Sequence, residues 1–440
     1  MKKIQAPSAD LLDAARTKID QRETGWQRYC CTLVTPLFGG GVKPGEVDGE
    51  MPIRASAIRG QLRFWWRLLN RGHHPGGDGT SASQALYLAE REIWGGLGDQ
   101  DTLAASKVAL RVELPPTRHF LESKQQMQAD AVRYAFGAAA NNGEARWLKD
   151  GYEWTLWIRH PDSLKTEIAE TLRWWASFGG LGARTRRGFG AIAVDDWAGD
   201  ERKPLSPITR EEAKLAGMRL ILQKNQLNSA ITAWQVAVDR LRDFRQGPEV
   251  GRKAKREGNT DGRSPGRSYW PEPDAIRGVA NQWFGKSGDQ PHQIKNKRGE
   301  YEDVGVAHNH KPEHPAGNVF PRAAFGLPLI FHFKDRGDPN PDYQLIPDNG
   351  SDRMASPLIL RPYRVNDGWK AAALCMPMKH VWSMGVRFKD RNEHYASGEW
   401  WPLQEDERKA VAKLIPPMRN TGYSDPLTAF LKFFNTEDAA

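Results

Sequence analysis

Residues 29–34 (YCCTLV) are β-branched and aromatic and stop at Pro36 and the glycines 39–41, which predicts a strand followed by a loop. The next stretch, SAIRGQLRFWWRLLNR at 56–71, changes period: at 100° per residue Ile58, Leu62, Trp65 and Leu69 share one narrow face, and Ser56 can cap the helix this predicts. Strict alternation returns at 107–114 (KVALRVEL), ending at Pro115 and Pro116, and again at 152–159 (YEWTLWIR). Ser163 opens a predicted helix reaching Phe178, and FGAIAVD at 189–195 reads as a final strand. The order strand, helix, strand, strand, helix, strand is that of the split ferredoxin-like unit, which serves many RNA-recognition domains and also enzymes and metal carriers.

After a charged, proline-containing linker at 198–216, the pattern partly repeats. A strand is predicted at 217–224, a helix at 226–244, strands at 323–333, 356–365 and 371–377, and a helix at 405–414. The expected fold class is α+β, with two ferredoxin-like (RRM-like) domains carrying insertions, 1–200 and 201–440.

Charge sharpens this picture. Lys and Arg number 63 against 54 Asp and Glu, a net charge of +9, which suggests a polyanionic partner. The helix at 56–71 carries Arg59, Arg63, Arg67 and Arg71 at four-residue spacing and no acid, whereas a solvated face normally mixes signs. Between the second predicted helix and the last strand of the first half, GGLGARTRRGFG at 179–190 holds five glycines and three arginines. It fits neither the Walker A nor the GxGxxG pattern, and the GKS at 285–287 lacks the upstream glycine. A flexible turn with three guanidiniums suits a sugar-phosphate chain: glycine admits close approach, and arginine's planar fork matches phosphate oxygens.

Other features carry less. The three cysteines, Cys30, Cys31 and Cys375, make no disulfide framework or metal pair, and the N-terminus has no signal-peptide core, so a cytoplasmic protein is expected. No apolar run reaches membrane-spanning length, and no membrane partner is expected. Residues 247–268 hold six basic and three acidic side chains, read as a solvated loop or, with SYW at 268–270, as an RNA-ordered arm. His308, His310 and His314 match no standard zinc pattern and are read as a polar loop. Asp48 lies in the loop after the first predicted strand, and no paired base or convincing metal cluster accompanies it for acid–base cleavage.

The stretches TPLFGGGVKPGEVD (35–48), PIRASAIRGQLRFWWR (52–67) and GGLGARTRRGFGAI (179–192) resemble the RAMP superfamily of CRISPR proteins, whose hallmark is the glycine-rich loop. The first two stretches narrow the resemblance to the first subunits of Cmr (type III-B) effector complexes, and FPRAAFGLPLIFHF (320–333) and RMASPLILRPY (353–363) resemble the second half of those subunits. It implies a non-catalytic subunit that binds near the 3′ end of a guide (CRISPR) RNA, caps the filament, and contacts target RNA and other Cmr RAMP subunits, with no cofactor and no metal. The alternative is a stand-alone endoribonuclease of the same superfamily that processes guide RNA. The expected RNA-binding residues are Lys43, Arg54, Arg59, Arg63 and Arg67 on one wall of a groove and Arg184, Arg186 and Arg187 on the other, with Gly180 and Gly182 admitting the RNA backbone.

Overall fold

The computed structural model describes residues 24–43, 45–75, 81–97, 103–116, 120–122, 129–137, 146–198, 201–254, 266–284, 293–295, 301–303, 312–331, 333, 343–366, 368–377, 385–389, 395–398 and 401–436. The chain forms two compact units: Met1–Gln128 with Ala138–Ile208 and Arg364–Asp367, and Ala129–Gly137 with Thr209–Tyr363 and Gly368–Ala440.

In the first unit the alternating stretches become β1 (Gln27–Leu33), β2 (Ala109–Glu113), β3 (Glu153–Arg159) and β4 (Ile192–Ala198), joined by an edge strand β5 (Glu201–Pro204). They pair antiparallel in the order β5-β4-β1-β3-β2, with Cys31 opposite both Trp154 and Val194. The register puts Tyr29, Cys31 and Leu33 on the same buried face as Trp154, Leu156 and Ile158. The unit also contains helices α1 (Ala55–Asn70), α2 (Ala82–Trp94) and α3 (Lys165–Phe178) and two small antiparallel sheets. α1 buries Ile58, Leu62, Trp65 and Trp66, and Trp65 stacks on Trp174 of α3 with ring centroids 5.9 Å apart. Two expected caps are replaced. Arg54, not Ser56, is the N-cap residue of α1, and residues 162–164 form a 3-10 turn, so Ser163 does not cap α3.

The second unit has a main sheet of β6 (Arg219–Leu222), β9 (Leu358–Val365) and β10 (Gly368–Cys375), in the order β6-β10-β9. A separate antiparallel sheet joins β7 (Leu329–Phe331), β8 (Tyr343–Pro347), β11 (Val386–Lys389) and β12 (Tyr395–Gly398). Helices α4 (Ala230–Gln246), α5 (Glu272–Phe284), α6 (Glu405–Lys413) and α7 (Pro426–Asn435) surround an aromatic core, in which Phe244 meets Trp270 at 5.3 Å and Phe430 at 5.6 Å. The strand expected over 323–333 is split: Pro321 opens a 3-10 turn, Pro321–Phe325, and Gly326 at φ +108° ends it before β7. Among the described residues no strand follows α7, so the main sheet of this unit keeps three strands.

All three cysteines are buried and unpaired, and burial raises the Cys31 thiol well above its ordinary value. Among the described residues no helix is long and apolar enough to cross a membrane.

Candidate nucleic-acid interface

Two loops of the first unit are built as one. The chain leaving β1 and the glycine-arginine turn after α3 exchange backbone bonds: Ala183 N donates to Phe38 O at 2.6 Å, Gly190 N to Pro36 O at 2.8 Å, and Val34 N to Ala191 O at 2.8 Å. Thr35, completely buried, locks the junction by donating its hydroxyl to Gly188 O at 2.6 Å and accepting from Ala191 N at 2.9 Å. A buried hydroxyl that both donates and accepts is fully used, which a valine could not reproduce.

The interlock gives the glycines a role within the fold. A Cβ on Gly182, whose φ is +78°, would lie 2.4 Å from Phe38 O, and one on Gly180 would lie 3.0 Å from Gly190 O. The close approach these glycines permit is taken by the chain's own backbone. They position the arginines, with Gly180 buried and Gly182 exposed on the turn.

The same interlock brings the arginine turn against α1 and the loop that precedes it. Arg54, at the start of α1, donates to Gly40 O in the first loop. In the second loop, Arg184 is exposed in a left-handed conformation at φ +58°, opening the turn Thr185–Arg187. Arg186 lies over the Phe64 ring of α1 at 5.6 Å, and burial lowers its pKa from the ordinary arginine value. Arg187 is half-buried in the same turn. Lys43 is 77% exposed and 3.9 Å from Glu46 at the rim.

The helix face itself differs from the expectation. Arg63 Nε lies 2.6 Å from Glu90 Oε1, and Arg67 bonds the same oxygen. Glu90 belongs to α2, and its side chain is 3% exposed. No acid stands within α1, but its neighbour supplies one, so two of the expected RNA-binding arginines are engaged inside the protein. Arg59 donates to Ser106 Oγ at 2.6 Å and keeps its full charge unneutralised there; burial, then the nearby Arg63 charge, lowers its pKa. The carboxylate of Asp48 accepts backbone N–H bonds from Glu50 and Met51, both at 2.9 Å, closing the turn that leads into α1.

The secondary candidates divide. Trp270, expected beside a basic arm, is 1% exposed and donates its indole N–H to Phe244 O, so it is core and not a stacking platform. Residues 255–265 of that arm, and His308 and His310, lie outside the described residues. Both ring nitrogens of His314 are used within the fold, one against Tyr269 O and one accepting from Ala316 N. Sequence reasoning missed Thr35, Phe64 and Glu90. Ser81, which accepts from Gln84 N at the start of α2, was the available signal for the helix bearing Glu90.

Residues 30–193 match the model of the RAMP superfamily, which spans both interlocked loops and α1. No curated protein matches the chain. Among solved structures, the chain is similar to Cmr1 from Pyrococcus furiosus in its apo form, at 16% identity over 89% of this chain and 97% of that one, with a TM-score of 0.36. A chain of the type III-B Cmr-beta complex bound to cognate target RNA and AMPPnP in the presence of ssDNA is 11% identical over 90% of this chain and 99% of its own, with a TM-score of 0.34. A chain of Cmr-beta bound to cognate target RNA is 12% identical over 47% of this chain and 70% of its own, with a TM-score of 0.25.

Proposed function

We propose, from the RAMP superfamily segment at 30–193 and the motifs that narrow it, that this chain is an RNA-binding subunit of a Cmr-type (type III-B) CRISPR effector complex. In this reading it binds near the 3′ end of the guide RNA, caps the protein filament and does not itself cut RNA. Its partners are guide and target RNA and neighbouring RAMP subunits, and its compartment is the cytoplasm. Both units are read as ferredoxin-like. The order β4-β1-β3-β2 supports this for the first, and β6-β10-β9 supports a version of it without a fourth strand for the second.

The observation that carries the reading is the interlock of the two loops. It holds the turn carrying Arg184, Arg186 and Arg187 against the loop that carries Lys43 and that Arg54 bonds, with Arg186 over Phe64 of the helix that also carries Arg59. Arg54 and Arg59, held by a carbonyl and a hydroxyl, retain charge for an incoming phosphate, Lys43 is 77% exposed, and arginine forks suit phosphate oxygens. Arg63 and Arg67 share the one carboxylate of Glu90, which cancels one of their two charges and holds both guanidiniums in place. The contacting set is therefore Lys43, Arg54, Arg59, Arg184, Arg186 and Arg187. The involvement of the Asp48 carboxylate in two turn-closing bonds supports a non-catalytic role.

The test is the salt dependence of binding to single-stranded RNA. Neutralising roughly five phosphates gives a log–log slope near −3.5. Replacing Arg184, Arg186 and Arg187 with alanine flattens that slope, whereas replacing Arg63 and Arg67 leaves it unchanged; the reverse pattern defeats the assignment. Incubation with repeat RNA yields no discrete products, and Asp48→Asn binds as the parent does. Cleavage at a fixed position that Asp48→Asn abolishes would establish the guide-processing alternative instead.

A further inference from the structure

Arg322, in the motif FPRAAFGLPLIFHF, sits in a setting that packing alone does not explain. It lies in the turn Pro321–Phe325 with its side chain 11% exposed, against a Glu272 side chain that is fully buried. Glu272 accepts from the Arg322 backbone N–H at 2.6 Å and from its Nε at 2.9 Å. Two more guanidiniums lie near this turn, Arg245 standing over the ring of its Phe325 at 5.9 Å. Arg245, in the last turn of α4, donates to the Tyr134 hydroxyl at 3.1 Å, and Arg252, in the turn just after α4, donates to Gln246 Oε1 at 3.1 Å.

The charges do not cancel. Three arginines and one carboxylate, 3 − 1, leave two positive charges in a half-buried site. Tyrosine and glutamine satisfy donors without neutralising them. Arg322 Nη2 and Arg245 Nε are buried and meet no hydrogen-bond acceptor among the described residues. Burial, then the Arg322 charge, lowers the pKa of Arg252. Burial lowers that of Arg322 too, opposed by Glu272 and reinforced by Arg245. A structural ion pair needs one arginine per carboxylate; like charges gathered beyond that number are unfavourable until an anion arrives.

We propose that Arg245, Arg252 and Arg322 form a phosphate-binding site in the second unit, one that takes a single phosphate group from an RNA strand or from a free phosphate-bearing ligand. Glu272 is the positioning residue: it holds Arg322 by one bond from the backbone N–H and one from Nε, and leaves Nη2 for the ligand. A tetrahedral anion supplies the several acceptor oxygens that three forks require. The RNA version rests on the function proposed above; the free-ligand version does not.

The experiment compares the full-length chain with Arg252→Gln, whose position in a turn spares the core, and with the Arg245→Gln/Arg252→Gln double variant. Circular dichroism checks that each is folded. In one arm, inorganic phosphate replaces chloride at matched ionic strength and the thermal midpoint is read. In the other, oligouridine binding is measured across a salt series. The site predicts that phosphate raises the midpoint of the parent and not of the double variant, or that the double variant binds oligouridine about tenfold more weakly with a slope about 0.7 flatter, the signature of one lost phosphate contact. The first result alone identifies a free ligand, and the second alone a strand phosphate. If parent and double variant respond alike in both arms, the site does not exist. A parent that binds no RNA refutes the proposed function and leaves the phosphate arm to decide this one.

Discussion

Arg63 and Arg67 converge on one oxygen of Glu90, so removing that carboxylate leaves two guanidiniums facing each other across the contact between α1 and α2. Glu90→Gln is expected to cost about 1–2 kcal/mol, below the full price of breaking a buried pair because the arginines are 29% and 41% exposed. The urea midpoint measures that loss. The one uncancelled charge this adds should also raise RNA affinity at low salt a few-fold, a gain that disappears in high salt. Gly182→Ala combines a left-handed φ with a Cβ 2.4 Å from Phe38 O, and is expected to destabilise the first unit by about 2–3 kcal/mol, read by thermal unfolding. The glycine-arginine composition of this turn was legible in the sequence. Its occupant was not, because Phe38 and Gly182 are far apart along the chain and meet only in the fold.

At the scale of elements, the first turn of α5 is held by a charge cluster with a definite pH signature. Burial alone would raise the Asp274 carboxyl, but the Glu313 backbone N–H and the Arg267 and Arg277 side chains outweigh it and hold its pKa below the ordinary value. A carboxylate depressed in the folded state adds stability above its unfolded pKa of about 3.9 and loses it as pH falls toward the folded value. Acid unfolding should therefore steepen below about pH 4, and Asp274→Asn should remove that part of the slope while lowering stability at neutral pH. The strands of the first unit were legible because one face of the sheet is buried and the period of two survives. α2 was not, because Tyr87 and Leu88 stay 42% and 36% exposed and blur its helical period. α7 escaped for the opposite reason: it buries Leu427, Ala429, Phe430, Leu431 and Phe434, which leaves too little polar surface to mark one face.

For the whole molecule, the cysteines provide a readout of each unit separately. Cys30 and Cys31 lie in β1 of the first unit and Cys375 at the end of β10 in the second, all buried, with burial as the leading cause raising each thiol's pKa. Neutral thiols out of reach of solvent do not react, so a maleimide should label none of the three in the native protein. In rising urea, mass mapping of the label should report the opening of the first unit through Cys30 and Cys31 and of the second through Cys375. Prompt native labelling at any of them would contradict the burial described.

Local pattern was enough to determine the alternating strands, the tryptophan-lined face of α1, the positive balance of the chain and the glycine-arginine turn, since each depends on neighbours a few residues apart. Tertiary structure alone decided which of those charges remain available. Glu90 stands 23 residues from Arg67 and 27 from Arg63, and only the packing of α2 on α1 brings it to them. Arg245, Arg252 and Arg322 likewise become one cluster only when α4 and the Pro321–Phe325 turn share a core. Whether a guanidinium is neutralised depends on distances of a few ångströms between groups remote in sequence, and one-dimensional spacing does not carry that information.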